Sequence, residues 1–421
     1  MSDTRAESRT YTARWVFPAS NPPLHRGTVT VSGSVIEAVD PHGVRQPDED
    51  LGNVAIIPGL VNAHTHLDLS GARGLTPPTT ADRFTDWLLS VITYRRSRSP
   101  EQTRADIHAG LAESLRCGTT LIGDIAAEGQ TWDVLAAAPT RAVVFRELIG
   151  LSPERSQTAH DTAETWLAGH HPTTSTRPGL SPHAPYSVRK GLFADAGRLC
   201  RSGKISYAVH LAESAAEVEL LTHRRGPFAD FLKDLGLWLP DGLTEDFGAV
   251  IEACDFGQPK LFVHGNHLAP TTRMTPGSTI VYCPRTHAAF GHPPHPFREF
   301  LARGVRVCLG TDSLASNPDL DVLAEARFIH SRYPDFPGDT LLKMVTLFGA
   351  EAMDWSNKTG SLEPGKSADL VAVPLPERDA EDAHTLLFAQ DAPRADRRSM
   401  FCGLWRSWMT VGGNACFANE M

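Results

Sequence analysis

The chain is first defined by what it lacks. No stretch approaches the roughly 18 uninterrupted apolar residues of a membrane span. The first residues carry Arg5, Arg9 and Arg14 but no apolar core, so no signal peptide is expected. No C-x-x-C pair occurs among the 7 cysteines, and their number is odd. Cys117, Cys283 and Cys308 lie in or beside apolar segments, where a thiol acts as a small hydrophobe. This usage fits a reducing cytoplasm. No long basic run is present, and the net charge is -9. Phosphate binding needs clustered Lys and Arg, so neither nucleic acid nor membrane is expected as a partner. The short run Arg95-Arg96-Ser97-Arg98 reads as a solvated helix end. No repeat is visible, and the one biased stretch is the loop from Pro172 to Pro178.

What is present is a large, ordinary globular composition. The 421 residues are 41% hydrophobic and 21% charged, enough for a sizeable core. Short runs alternate with turn residues near the N-terminus: Ala13 to Phe17, Gly27 to Val31 and Ser34 to Val39. They read as antiparallel strands. From Val54 onward, strands alternate with helical segments. The strand candidates are Val54 to Val61, Leu121 to Asp124, Arg141 to Leu148, Gly179 to His183, Lys204 to Leu211, Lys260 to His264, Thr279 to Cys283 and Val305 to Thr311. Helical segments include Glu101 to Arg116, Val188 to Arg201, Ala215 to His223 and, last, Leu341 to Met353. Eight strands alternating with helices imply parallel pairing and a closed (β/α)8 barrel of the TIM type. Ala368 to Val373 and Met409 to Val411 are short strands again. The expected organisation is an N-terminal part of a small β-sandwich (1–57), an α/β barrel (58–356) and the C-terminal part of the same sandwich (357–421).

Polar residues with ligand chemistry fall at the ends of these strands. His64-Thr65-His66 follows an apolar run, and alternate residues of an extended segment point to one side. Two imidazoles so placed can grip one metal ion of the zinc or iron type. His210-Leu211-Ala212-Glu213 follows a second strand, His264 ends a third and Asp312 ends a fourth. Barrel enzymes place their chemistry at this end of the strands.

Taken together, the segments Pro58 to Leu67, Ser181 to Tyr186, His210 to Glu213, Val263 to Gly265, Leu309 to Asp312 and Leu362 to Leu370 resemble the amidohydrolase superfamily in its mononuclear deaminase branch. The similarity is strongest to methylthioadenosine/S-adenosylhomocysteine deaminases, aminodeoxyfutalosine deaminases and triazine chlorohydrolases. It implies one divalent metal, zinc first and iron as the alternative, on His64, His66, His210 and Asp312. Glu213, His264 and Asp312 are the implied catalytic residues. A carboxylate beside metal-bound water can take its proton and later deliver it to a leaving nitrogen, which is the implied part of Glu213. His264 would orient the attacking oxygen. The fourth strand ends in His183 rather than a lysine, which argues against a bridged pair of metals.

The implied reaction is hydrolytic loss of ammonia from an amino-substituted heterocycle, a small-molecule substrate. An adenine nucleoside ranks first, and guanine, a pterin or a triazine second. His183, Trp87, Arg146, Glu147 and His287 are the candidate substrate contacts. Arg146 and Glu147 are adjacent on one strand, so only one of them should face the site. Arg146 or Arg285 would meet a substrate carboxylate. Each candidate also has a plainer reading: Trp87 as helix core, His183 as a packed loop residue, Asp312 as a helix cap. His287 and the run Gly291 to Pro296 depart from the pattern of ordinary methylthioadenosine deaminases. A catalytically silent scaffold is the competing class. It would be expected to lose ligands, and all four remain beside Glu213. The sequence leaves a homo-oligomer open.

Overall fold

The computed structural model describes residues 8–393, 397–411 and 414–419. Eight strands form one parallel sheet in chain order: β1 (Leu60–Thr65), β2 (Thr119–Ala126), β3 (Arg141–Leu148), β4 (Thr176–Pro182), β5 (Ser206–Leu211), β6 (Lys260–His264), β7 (Ser278–Tyr282) and β8 (Arg306–Leu309). Beyond β8, the amides of Thr311 and Asp312 both donate to the His64 carbonyl at 3.1 and 3.0 Å. These bonds join the last strand to the first and make the sheet a (β/α)8 barrel. All residues of β1, β2, β5, β6 and β7 are buried, as expected of strands covered on both faces.

The run from Val54 to Val61 proves to be two strands, not one. Val54–Pro58 belongs to a different sheet, and Leu60 opens β1. Gly59 separates them: a Cβ there would run into the Thr120 side chain, so only glycine permits this approach. The final helical segment is likewise divided, into Gly338–Met344 and Leu347–Ala352.

The flanks supply two further sheets. One has seven strands, with Leu370–Pro374 antiparallel to Val54–Pro58 and to Arg398–Phe401. The other has four, centred on Thr28–Ser32 and Ser8–Thr12. Their apolar faces meet in one core that includes Tyr11, Val29, Ile36, Ile56, Leu370, Met400 and Trp405. By packing, the described residues of 8–62, 112–121 and 321–419 form one compact unit, and 63–111 with 122–320 form another. Among the described residues no helix is long and apolar enough to cross a membrane.

Candidate active site

The polar residues expected at strand ends do converge. His64 lies on β1 and His66 just after it, His210 on β5, His264 at the end of β6, and Asp312 three residues past β8. All are buried. His66 Nε2 is 3.3 Å from His210 Nε2. Asp312 Oδ1 is 3.4 Å from His64 Nε2 and 3.8 Å from His66 Nε2. Glu213 Oε1 is 3.3 Å from His264 Nε2. Within each of three overlapping sets (His64, His210, His264; His64, His66, Asp312; Glu213, His264, Asp312), one ligand atom per residue lies within 4.8 Å of the others.

The backbone is bent to make this possible. Ala212, His264 and Asp312 all have positive φ, at 55°, 70° and 61°. Such conformations are costly for residues other than glycine and concentrate where function demands them. Side chains and carbonyls hold the result in place. The His183 carbonyl accepts from His210 Nδ1 at 2.9 Å, which leaves Nε2 of His210 as a lone-pair donor toward the centre of the cluster. Ser316 Oγ donates to Asp312 Oδ2 at 2.6 Å. His295 Nε2 donates to the His264 carbonyl at 2.8 Å, with its ring stacked 4.0 Å from Tyr282.

Burial sets the protonation states. It lowers His66, His210 and His264 well below the usual histidine range, and neighbouring imidazoles push His66 and His210 the same way. These three rings are therefore neutral, the form that ligates metals. Burial alone would raise Asp312, but the side chains of His64, His264 and His66 outweigh it and hold the carboxyl below its ordinary value. Burial, followed by the charges of Asp312 and Glu217, drives Glu213 well above the usual glutamate range. Neutral imidazole nitrogens and one carboxylate, with nitrogens as close as 3.3 Å, match the donor set of a divalent zinc-type ion.

A wall of the same cleft is built from Trp87, Arg95, His183 and Tyr186, with Phe84, Leu88 and Val91. Trp87 is both core and lining. Its Nε1 donates to the carbonyls of Thr76 and Ala315, and its ring meets Phe290 edge-on at 4.9 Å. Glu147 sits behind His183, its Oε1 3.9 Å from His183 Nε2. Arg146 faces the other way, as strand alternation requires, and donates to the Glu128 carbonyl. It is therefore not brought into the site. Arg285 is engaged with both carboxylate oxygens of Asp319, at 3.0 and 2.7 Å. His287 is not among the residues lining the cleft, and its Nε2 bonds the Pro293 carbonyl at 2.8 Å.

Arg95 is the residue that sequence reading missed. The solvated helix end expected at Arg95 to Arg98 is instead partly internal. Arg95 is the lining cation of the cleft, its Nε 3.0 Å from Asp68 Oδ2 and its Nη1 3.4 Å from Glu147 Oε2. The available signal was its place on helix Phe84–Ser97, two turns beyond Trp87 on the same face.

Residues 55–406 match the model of the amidohydrolase family. The chain belongs to that family. As an amidohydrolase it is a hydrolase of carbon–nitrogen bonds, and members of the deaminase group bind a divalent metal. A 5-methylthioadenosine/S-adenosylhomocysteine deaminase from Moorella thermoacetica is 28% identical over 387 residues, covering 86% of this chain and 84% of the relative. The crystal structure of Helicobacter pylori aminofutalosine deaminase in complex with methylthio-coformycin has the same fold. Its TM-score is 0.83 at 22% identity, over 94% of this chain and 99% of that one. An adenosine deaminase from Xanthomonas campestris with bound zinc gives a TM-score of 0.71 at 25% identity, over 94% and 91% of the two chains.

Proposed function

We propose that this amidohydrolase is a zinc-dependent aminohydrolase that releases ammonia from an amino-substituted heterocycle, with an adenine nucleoside of the methylthioadenosine, S-adenosylhomocysteine or aminodeoxyfutalosine type as substrate. The observation that carries the reading is the convergence of the His64, His66, His210 and His264 imidazoles with the Asp312 and Glu213 carboxyls on one point at the strand ends. The deaminase names of its relatives support the substrate class.

In this reading His64, His66, His210 and Asp312 hold the metal. When bound, it supplies Lewis acidity and makes water a nucleophile near neutral pH. The remaining steps belong to the side chains. Glu213 receives the proton of the attacking water and passes it to the ring nitrogen or the departing amine. Glu213 enters as the carboxylate, and its burial favours the protonated form, so the proton taken from water is held for delivery. His264, 3.3 Å from Glu213, directs the attacking oxygen. Asp312, fastened by Ser316, keeps the charge balance of the cluster. His183 and Trp87 bound the face on which the ring lies, and Glu147 supports His183 from behind.

The test is metal analysis followed by ammonia release from methylthioadenosine, S-adenosylhomocysteine, adenosine and aminodeoxyfutalosine under one set of conditions. One zinc per chain and release from at least one of these are expected. Release from guanine, a pterin or a triazine alone would replace the nucleoside reading and leave the metal chemistry unchanged.

A further inference from the structure

We infer that Glu217 and Asn266 are positioning residues for Glu213, a two-sided clamp on its backbone that fixes the carboxyl beside His264. The inference rests on the aminohydrolase reading above and adds the side chains that hold its proton carrier in place.

The need for a clamp follows from the backbone. Strand β5 ends at Leu211, and Ala212, with φ at 55°, turns the chain out of the sheet. Glu213 lies beyond the strand and before helix Ala215–His223, so neither ladder supplies partners for its N–H and C=O. Buried peptide groups left unpaired are costly, and both groups must be met from elsewhere. Strand β6 ends in a bend of its own, with φ of 70° at His264 and 66° at Gly265. That bend carries Asn266 and His267 toward the Glu213 segment.

The partners are two buried side chains. Glu217 Oε2 accepts from the Glu213 amide at 2.8 Å. Asn266 Nδ2 donates to the Glu213 carbonyl at 2.9 Å. The peptide joining Ala212 to Glu213 is held at its other end as well, because the His267 amide donates to the Ala212 carbonyl at 2.9 Å. Asn266 and His267 stand on the segment that carries His264. The clamp therefore ties the two bent segments together, and with them Glu213 Oε1 and His264 Nε2, 3.3 Å apart. Glu217 also takes part in a helix cap, since Ser214 Oγ accepts from the Glu217 amide at 3.3 Å. In a reciprocal cap the glutamate reaches back to the amide of the capping residue. Glu217 reaches one residue further, to Glu213 itself, and Asn266 comes from a different element. Capping alone explains neither bond.

The test compares zinc-loaded Glu217→Ala and Asn266→Ala with wild type on whichever heterocycle releases ammonia. Each should lose about 10- to 100-fold in kcat, because a misplacement of about 1 Å can cost that much, with KM within about twofold and zinc content at the wild-type level. Glu217→Gln keeps an acceptor oxygen for the Glu213 amide and should recover about tenfold of the loss. The deciding comparison adds each alanine substitution to Glu213→Gln. With no proton carrier left to misplace, kcat should fall no more than about twofold further. A further fall as large as in the wild-type background shows a merely structural role and overturns the proposal. Crystal structures of the two alanine variants give a second measurement. The Glu213 carboxyl should leave its place beside His264 while His64, His66, His210 and Asp312 keep theirs; a Glu213 unmoved in both variants overturns the proposal. Wild-type kcat in Glu213→Gln alone would instead overturn the reading of Glu213 as proton carrier, and the clamp with it. If guanine, a pterin or a triazine is turned over and no nucleoside is, the nucleoside reading fails and the same comparison is run on that base. If nothing is turned over, the position of Glu213 in the variant crystals alone decides.

Discussion

The imidazole–carboxylate cluster and the wall around His183 share one cleft, but they are held by different means. Members of the cluster sit on or just beyond the ends of barrel strands, and their orientation is set largely by backbone: the positive φ of Ala212, His264 and Asp312 and the His183 carbonyl on His210. The wall is assembled from side chains that hold one another. Asp68 comes from a short helical turn, Arg95 from helix Phe84–Ser97 and Glu147 from β3, and ion pairs join them. In the proposed function, reaction chemistry thus rests on the rigid sheet, where displacement of about 1 Å is penalised heavily. In the same proposal, recognition rests on a charged network that can be re-tuned one side chain at a time. Substitutions in the cluster should therefore abolish turnover, and substitutions in the wall should change which substrate is accepted.

The largest expected effect is loss of the metal. His210→Ala removes one of two nitrogens 3.3 Å apart and should leave the purified protein with less than a stoichiometric metal and no measurable ammonia release. Chelation of the wild-type protein should do the same, and added zinc should restore it. A chelated, metal-free enzyme with full turnover would break the distinction between cluster and wall at its root.

Glu213→Gln should come next. The amide is nearly isosteric and keeps the fold and the metal, but it cannot carry a proton. The expected loss in kcat exceeds about 10²-fold, the lower range for general acid–base catalysis. Metal analysis beside the kinetics separates this from the previous case. Wild-type kcat in the variant would move proton transfer to another group, with His264 at 3.3 Å the nearest alternative.

The sequence made the cluster legible and the wall largely not, for a physical reason. A strand puts alternate residues on one side, so apolar runs could set His64, His66, His210, His264 and Asp312 at strand ends, while the choice of ligands among them came from the family resemblance. Arg95 lies in a run of three arginines within four residues, and nothing in that spacing distinguishes an inward guanidinium from a solvated one. Its partners Asp68 and Glu147 are 27 and 52 residues away. Only the fold brings them together. The division of the Val54 to Val61 run was hidden similarly, because both halves are buried and apolar and only Gly59 marks the change of sheet.

Arg95→Met should show the wall acting through recognition. It removes the tether on Glu147 while keeping the apolar stem against the helix. A hydrogen bond to a charged group contributes about 1.5–3 kcal/mol, so kcat/KM should fall about 10- to 100-fold with zinc content unchanged. The loss should lie mainly in KM if Glu147 serves binding. A loss confined to kcat would mean that Arg95 acts on His66, whose Nδ1 is 3.4 Å from Arg95 Nη2.

The smallest effect is expected at Arg146, and it sharpens the comparison because Arg146 is the chain neighbour of Glu147. On an extended strand their side chains leave on opposite faces. Glu147 goes inward to His183 and Arg95; Arg146 goes outward to the carbonyl of Glu128. That contact ties β3 to the turn Ala127–Gly129, which lies after β2. Arg146→Ala should leave kcat, KM and metal content within about twofold of wild type, and cost stability no more than the roughly 0.5–1.5 kcal/mol of a single hydrogen bond. The measurement is steady-state kinetics on a carboxylate-bearing and a neutral substrate in parallel. A selective loss for the carboxylate-bearing one would show Arg146 reaching the substrate after all, and would require β3 to present both of its last charged residues to the cleft.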